Sequence, residues 1–314
     1  MDSFGGLVDG ARARGAFALR TVMTPPWSLR ILAESPVTVL AMVRGSAWVV
    51  PDSGDPVELR VGDVAVTRAP DHYNVADDPK TEPTIVIHPG QRCCNLDGES
   101  VEDELMHGMR TWGNDPDGST LMLVGAYEST SDVSDRLLRA LPPVLSLSKE
   151  TWDSPLVDLL CEEMAKDAPG QAAVLDRMID LLLIAILRAW FTRAEAEAPT
   201  WYRAQGDPVV SGALQLMCDE PARTWTVKAL AREVGASRAA LARRFQDVVG
   251  ESPMKFLSQW RMALAADMLC EPDATVGTVA HALGYSTPYA FSTAFKRIRG
   301  ISPIEHRTRA TASA

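Results

Sequence analysis

WTVKALAREVGASRAALARRFQDVVGESP, residues 225–253, and TVGTVAHALGYSTPYAFSTAFKRIRGISP, residues 275–303, carry one plan twice. In the first, Val227, Leu230, Ala231 and Val234 recur at i, i+3, i+4 and i+7, the apolar stripe of a short amphipathic helix. Gly235 ends it, because glycine enters a left-handed C-cap without a Cβ penalty. Ser237 offers an N-cap oxygen to a second helix, predicted to bury Leu241, Phe245 and Val248. In the second half, Val276, Val279, Ala280 and Leu283 form the stripe and Gly284 the stop. Thr287 then caps a helix whose first residue is Pro288, where the missing N–H costs nothing. Phe291 and Phe295 stand where Leu241 and Phe245 stood. The pairs Gly250/Gly300, Ser252/Ser302 and Pro253/Pro303 keep one offset, and Gly235/Gly284 falls one residue short of it. The second turn is therefore one residue longer. A repeated helix, tight turn and capped helix is a repeated DNA-reading unit. Between the halves, Met254 to Leu269 reads as one connecting helix begun by Ser252-Pro253.

At these residues the sequence resembles the AraC/XylS family of bacterial transcription regulators. The tail GYSTPYAFSTAFKRIRGISPIEHR, residues 284–307, matches the family signature, and WRMALAADML, residues 260–269, fits its linker helix. With Leu241 and Phe245 inside, Arg238, Ala239, Ala242, Arg243 and Gln246 point outward from the first recognition helix. The second presents Pro288, Tyr289, Ser292, Thr293 and Lys296, with Arg297 beside them. Arg243 has the planar fork that suits guanine O6 and N7, and the resemblance implies a base-reading arginine at that position. Gln246 or Arg244 could instead touch phosphate. Where Thr293 stands the family often has arginine, so base specificity is expected mainly from the first unit. Lys296, Arg297 and Arg299 are then expected on phosphates. The linker helix would set the two recognition helices about 34 Å apart, in successive major grooves. The resemblance implies double-stranded DNA, a second copy of the chain and RNA polymerase as partners.

The chain of 314 residues has room for two domains, and its formal charge of −10 is unevenly spread. From Asp207 onward there are 13 Lys+Arg against 10 Asp+Glu; before it there are 18 against 31. Affinity for phosphate is therefore expected from the C-terminal part alone. No basic-then-apolar leader opens the chain, and its longest apolar run, residues 181–187, is far too short for a bilayer. Five cysteines in a long chain do not suggest a disulfide framework. A cytoplasmic, reduced protein is expected.

From Phe17 to about Tyr127 the reading is β. Residues 37–43, 47–50, 57–61, 64–66, 84–87 and 121–124 are short apolar or alternating runs, separated by turn residues such as Arg44-Gly45-Ser46 and Gly62-Asp63. Many short strands without intervening helices argue for a sandwich or small barrel. The order strand, glycine turn, strand, then Val61-Gly62-Asp63-Val64 followed by Pro70 and His72, resembles a cupin barrel. Metalloenzymes of that family place an H-x-H pair and a glutamate on strands near the Gly45 region, since a metal needs several converging ligands. Residues 40–45 offer none and His72 stands alone. No metal, no cofactor and no catalysis are expected, against the alternative of a cupin enzyme fused to a DNA-binding tail.

His88-Pro-Gly-Gln-Arg-Cys93-Cys94 leaves three readings open: ordinary buried or loop thiols, a zinc site short of ligands, and a redox pair. In the last, Arg92 or His88 could lower a thiol pKa, and a vicinal disulfide would be strained and labile. From Ser131 the chain reads as helical: 132–141, stopped by Pro142-Pro143; about 154–166; and 172–194. The last has a broad apolar stripe including Ile179, Leu182, Leu183, Ile186, Leu187 and Trp190, wider than one core contact needs. It packs either on its own barrel or on another subunit, and the resemblance favours the dimer interface. The expected architecture is α+β: a cupin-like sensor barrel in 1–130, a helical dimerisation segment and linker in 131–206, and an all-α double helix-turn-helix in 207–314. The expected function is sequence-specific transcription regulation in response to a small-molecule effector or a redox signal, the alternative being redox sensing by Cys93/Cys94 specifically.

Overall fold

Short apolar runs separated by glycine turns close, in the computed structural model, into two facing six-stranded sheets. Residues 16–127, 141–193 and 204–312 are described, apart from 109, 153 and 272. One sheet runs β10 (Thr111–Trp112), β1 (Ala16–Met23), β11 (Thr120–Tyr127), β3 (Val37–Arg44), β6 (Val64–Arg68) and β12 (Val144–Leu147). The other runs β5 (Val57–Arg60), β4 (Ser46–Pro51), β7 (Tyr73–Ala76), β2 (Ser28–Ile31), β8 (Ile85–His88) and β9 (Arg92–Asn95). Pairing is antiparallel except β1 with β10 and β2 with β8. Leu40, Met42 and Met122 of the first sheet share one buried cluster with Leu29, Val49 and Val75 of the second, as in a closed barrel. A short helix α1 (Glu102–Leu105) follows β9.

One sequence expectation changes. Leu145 and Leu147 follow the Pro142-Pro143 stop as strand β12 against β6, where the segment had been read as helical; four residues are too few for periodicity to separate strand from helix. The expected helix 132–141 lies outside the described residues, save Leu141. Of the loop and buried forms left open for Cys93 and Cys94, the structure has the buried one, in strand β9.

Beyond β12, α2 (Lys149–Trp152), α3 (Leu156–Met164) and α4 (Gln171–Phe191) belong to the same compact unit as the barrel. Helix α3 lies against β1 and β3, and α4 against α3 and β1. That double contact uses up the broad stripe. Ile179, Leu182, Leu183, Ile186 and Leu187 are all buried within the one chain, which corrects their assignment as a surface for a second copy. Trp190 is half-buried beneath the Arg193 guanidinium, 5.2 Å from the ring centre. The apolar residues left to solvent are on the other side: Val174 and Leu181, 45% and 49% exposed, with Met178 and Ala185 half-buried between and beyond them.

The second unit, described from Ala204, is all helix: α5 (Pro208–Asp219), α6 (Val227–Glu233), α7 (Arg238–Val249), α8 (Pro253–Leu269), α9 (Val276–Ala282), α10 (Pro288–Arg299) and α11 (Pro303–Ala312). Of the polar linker expected over 194–208, residues 194–203 lie outside the described residues, while Ala204–Gly206 form a short 3-10 turn and Pro208 already opens α5.

Candidate functional site

The repeat is exact in length where it matters: α6 and α9 have 7 residues each, and α7 and α10 have 12. Each reading helix is started by a side-chain cap. Ser237 accepts from the Ala240 N–H at 3.1 Å, and Thr287 from the Ala290 N–H at 3.1 Å. Each ends at a left-handed glycine, Gly250 or Gly300. Their buried faces are Leu241, Phe245 and Val249 in α7, and Phe291 and Phe295 in α10. Val249 replaces the expected Val248, which is only half-buried; four-residue steps from Leu241 lead to 245 and 249.

Helix α8 holds the two halves from within. Phe256, Leu257 and Trp260 are buried toward its start, where Phe256 meets Phe245 edge-on at 6.0 Å. Met262, Ala265, Ala266 and Leu269 belong to the core of the second half, with Val279, Leu283, Phe291 and Phe295. Arg261 adds a polar tie, its Nε donating to the Pro221 carbonyl at 2.7 Å and its Nη2 to that of Arg223 at 2.9 Å.

With one face of each reading helix fixed inward, the other is open. Arg238, Ala239, Arg243 and Gln246 are exposed on α7, and Ala242 is half-buried. On α10, Pro288, Tyr289, Thr293, Lys296 and Arg297 are exposed and Ser292 is half-buried; Tyr289 is 82% exposed. Arg243 makes no hydrogen bond or ion pair among the described residues, so its five donors remain unengaged. Arg244 is different. Its Nε donates to Asp207 Oδ2 at 2.8 Å, so in this structure it is paired with a carboxylate of its own unit. Asp207 also caps α5 through the Val209 and Val210 N–H groups. Partial burial opposes its ionisation, but Arg244 and those two N–H groups prevail and hold the carboxyl below the usual range. On α10, Thr293 spends its hydroxyl hydrogen on the Tyr289 carbonyl, 2.9 Å away.

The barrel encloses a cavity of about 400 Å³. Alternation along the strands builds it: Phe17, Leu19 and Thr21 of β1, and Met122, Val124 and Ala126 of β11, face inward. The residues between them serve the outer helices. A Cβ placed on Gly125 would lie 3.1 Å from Ile179 Cγ2 of α4, and the Tyr127 hydroxyl donates to Asp180 Oδ1 at 3.3 Å. Burial, with Asp180 beside it, pushes the Tyr127 hydroxyl's pKa up, so it stays a donor. One strand is thus cavity wall on one side and helix seat on the other. This double use was not visible in the sequence, where Gly125 marks no turn.

The thiols part company. Cys93 lines the cavity, whereas Cys94, the next residue of a strand, belongs to the opposite face. Burial pushes the Cys93 thiol up to about 11, with Glu102 and Cys94 adding to it. That is the reverse of the activation expected from Arg92 or His88, and the geometry does not favour a vicinal disulfide. His72 is half-buried near Asp52 at the surface. Among the described residues no three His, Cys, Asp or Glu side chains gather as a metal would need.

Comparison with known proteins agrees with both halves. A cupin family model matches residues 2–192, and a helix-turn-helix domain model matches 230–309. A Streptomyces lividans protein assigned as an AraC-like transcription regulator is 28% identical, over 99% of both chains. The HTH-type transcriptional regulator AlkR of Acinetobacter baylyi is 24% identical, over 98% of this chain and 99% of its own. The DNA-binding domain of AdpA, solved with a target DNA, is 30% identical over 34% of this chain and 95% of its own, with a TM-score of 0.31.

Proposed function

Since the chain belongs to the cupin family and carries after its cupin domain a helix-turn-helix domain of AraC type, we propose that it is a transcription regulator that reads DNA chiefly through Arg243 and takes its effector in the barrel cavity. The observation that carries the reading is the pair of capped, equal-length helices whose outer faces hold Arg238, Arg243 and Gln246, and Tyr289, Thr293, Lys296 and Arg297. Arg243 donates to guanine O6 and N7; Tyr289 and the Thr293 methyl meet the next groove by apolar contact; Lys296 and Arg297 hold phosphates. Relatives of full length are regulators, and the chain is read as a regulator rather than an enzyme.

Signal transfer starts at β11. A molecule filling the cavity presses Met122, Val124 and Ala126, and the other side of that strand carries α4 through Gly125 and Tyr127. The outward face of α4, with Val174, Met178, Leu181 and Ala185 at alternating spacings of four and three, supports pairing with a second copy. RNA polymerase remains the expected partner at the promoter. Arg243→Ala should weaken binding to a selected site by about 1–3 kcal/mol and change binding to random DNA little. Equal losses on both DNAs, measured by gel shift, would remove Arg243 as a base reader.

A further inference from the structure

We propose that the barrel cavity takes a largely apolar ligand with a positively charged head and turns away an anion of the same shape. The inference rests on the reading of the barrel as the effector site and adds the chemistry of what enters. The deep wall is apolar, with Leu29, Leu40, Val75 and Met122 buried in it. Its polar groups there are neutral: the Tyr73 hydroxyl accepts a hydrogen bond from Thr67 at 2.9 Å and lies beside Thr38, and Trp112 contributes an indole N–H. The mouth is made by exposed lining residues, Gly90 of the β8–β9 turn and Glu102, Asp103 and Met106 at α1.

Charge separates the candidate ligands. Among the described lining residues two are acidic and none is Lys, Arg or His. Glu102 accepts only from the Cys93 backbone N–H among the described groups, and Asp103 has no ion-pair partner there. A carboxylate or phosphate ligand would find no counter-charge in the wall and two like charges at the entrance. A cation finds both carboxylates. Trp112, joined to Met106 by a backbone bridge, is a buried lining residue whose indole N–H has no partner among the described residues, so the wall also offers one neutral donor to a ligand's polar atom. Glu102 also disfavours the Cys93 thiolate, after the larger effect of burial, so the thiol adds no competing negative charge inside.

Decylammonium, decanol and decanoate share one apolar body and differ only in the head. Titrated calorimetrically into the full-length protein at neutral pH, below micelle formation, decylammonium should bind about tenfold or more tightly than decanoate, with decanol between. The double variant Glu102→Gln, Asp103→Asn should erase that order; both residues are exposed, and glutamine keeps the acceptor for Cys93. Ala33→Trp, at the half-buried edge of the cavity, should weaken all three. Equal affinities, or tighter decanoate, would overturn the cationic head while leaving the barrel as effector site. Binding of none, or decylammonium binding untouched by Ala33→Trp, would overturn the barrel reading and this inference with it.

Discussion

Gly235 and Gly284 hold the same place in the two turns, at φ of +65° and +76°, yet their surroundings differ. A Cβ on Gly235 would meet nothing within 4 Å; one on Gly284 would lie 2.0 Å from the Ala222 carbonyl oxygen. Gly235→Ala should therefore cost only the left-handed penalty, about 1–2 kcal/mol. Gly284→Ala should cost distinctly more, since backbone must yield to backbone. Urea unfolding of both variants compares them, and equal midpoints would refute the close approach. Asp207 allows a second test. Its carboxyl is held low in the folded chain, so it adds stability above the ordinary carboxylate pKa of about 3.9, and this is lost as pH falls through its lowered value. Asp207→Asn keeps a capping oxygen but should flatten the acid limb of stability below about pH 4. An unchanged limb would show that Arg244 lends Asp207 nothing. Cys93, with its thiol pushed up to about 11, should alkylate far more slowly at pH 7.5 than the exposed Cys270. Mass spectrometry of a timed reaction reads the order, and Cys93 reacting first would restore an activated thiol.

Helix and strand differed in how far they could be read in advance. The reading helices were legible because caps, glycine stops and a 3.6-residue stripe agree at Ser237, Gly235 and Leu241, and again at Thr287, Gly284 and Phe291. Helix α4 was legible as a helix, but its partner was not. A stripe of apolar positions such as Leu175, Ile179, Leu182 and Ile186 is the same whether β1 and α3 cover it or another chain does, and only burial in the fold decides. Strand β12 and the four-residue strands β2, β7 and β9 are too short for alternation to declare them. The cavity was least legible, because its lining residues come from strands far apart in sequence. Gly125 gives the element-scale prediction. Gly125→Ala would bring its new methyl within 3.1 Å of Ile179, which must shift by a few tenths of an ångström. If β11 seats α4, this variant should alter the response to effector without moving Arg243 from its site. The readout is DNA affinity with and without effector. An unaltered response would exclude β11 as the route.

Across the whole molecule charge follows function: the surplus of bases lies after Asp207 and the surplus of acids before it. A fragment of residues 204–314 should thus bind DNA with a salt dependence at least as steep as that of the full chain, since the contacts to phosphate are all retained. A much shallower slope would mean that the acidic part also supplies phosphate contacts. No helix among the described residues is long and apolar enough to cross a membrane. Helix α8 has the last consequence. It contributes side chains to the cores of both reading units along 17 residues, so it serves as a stiff spacer. On the proposed reading, once α7 is docked, α10 would meet its own groove as an intramolecular event, at an effective concentration that free fragments in solution would not reach. The second reader would then add avidity it could not supply alone, and a DNA whose second half-site is rotated half a turn away would forfeit that gain while every contact of the first reader stayed intact.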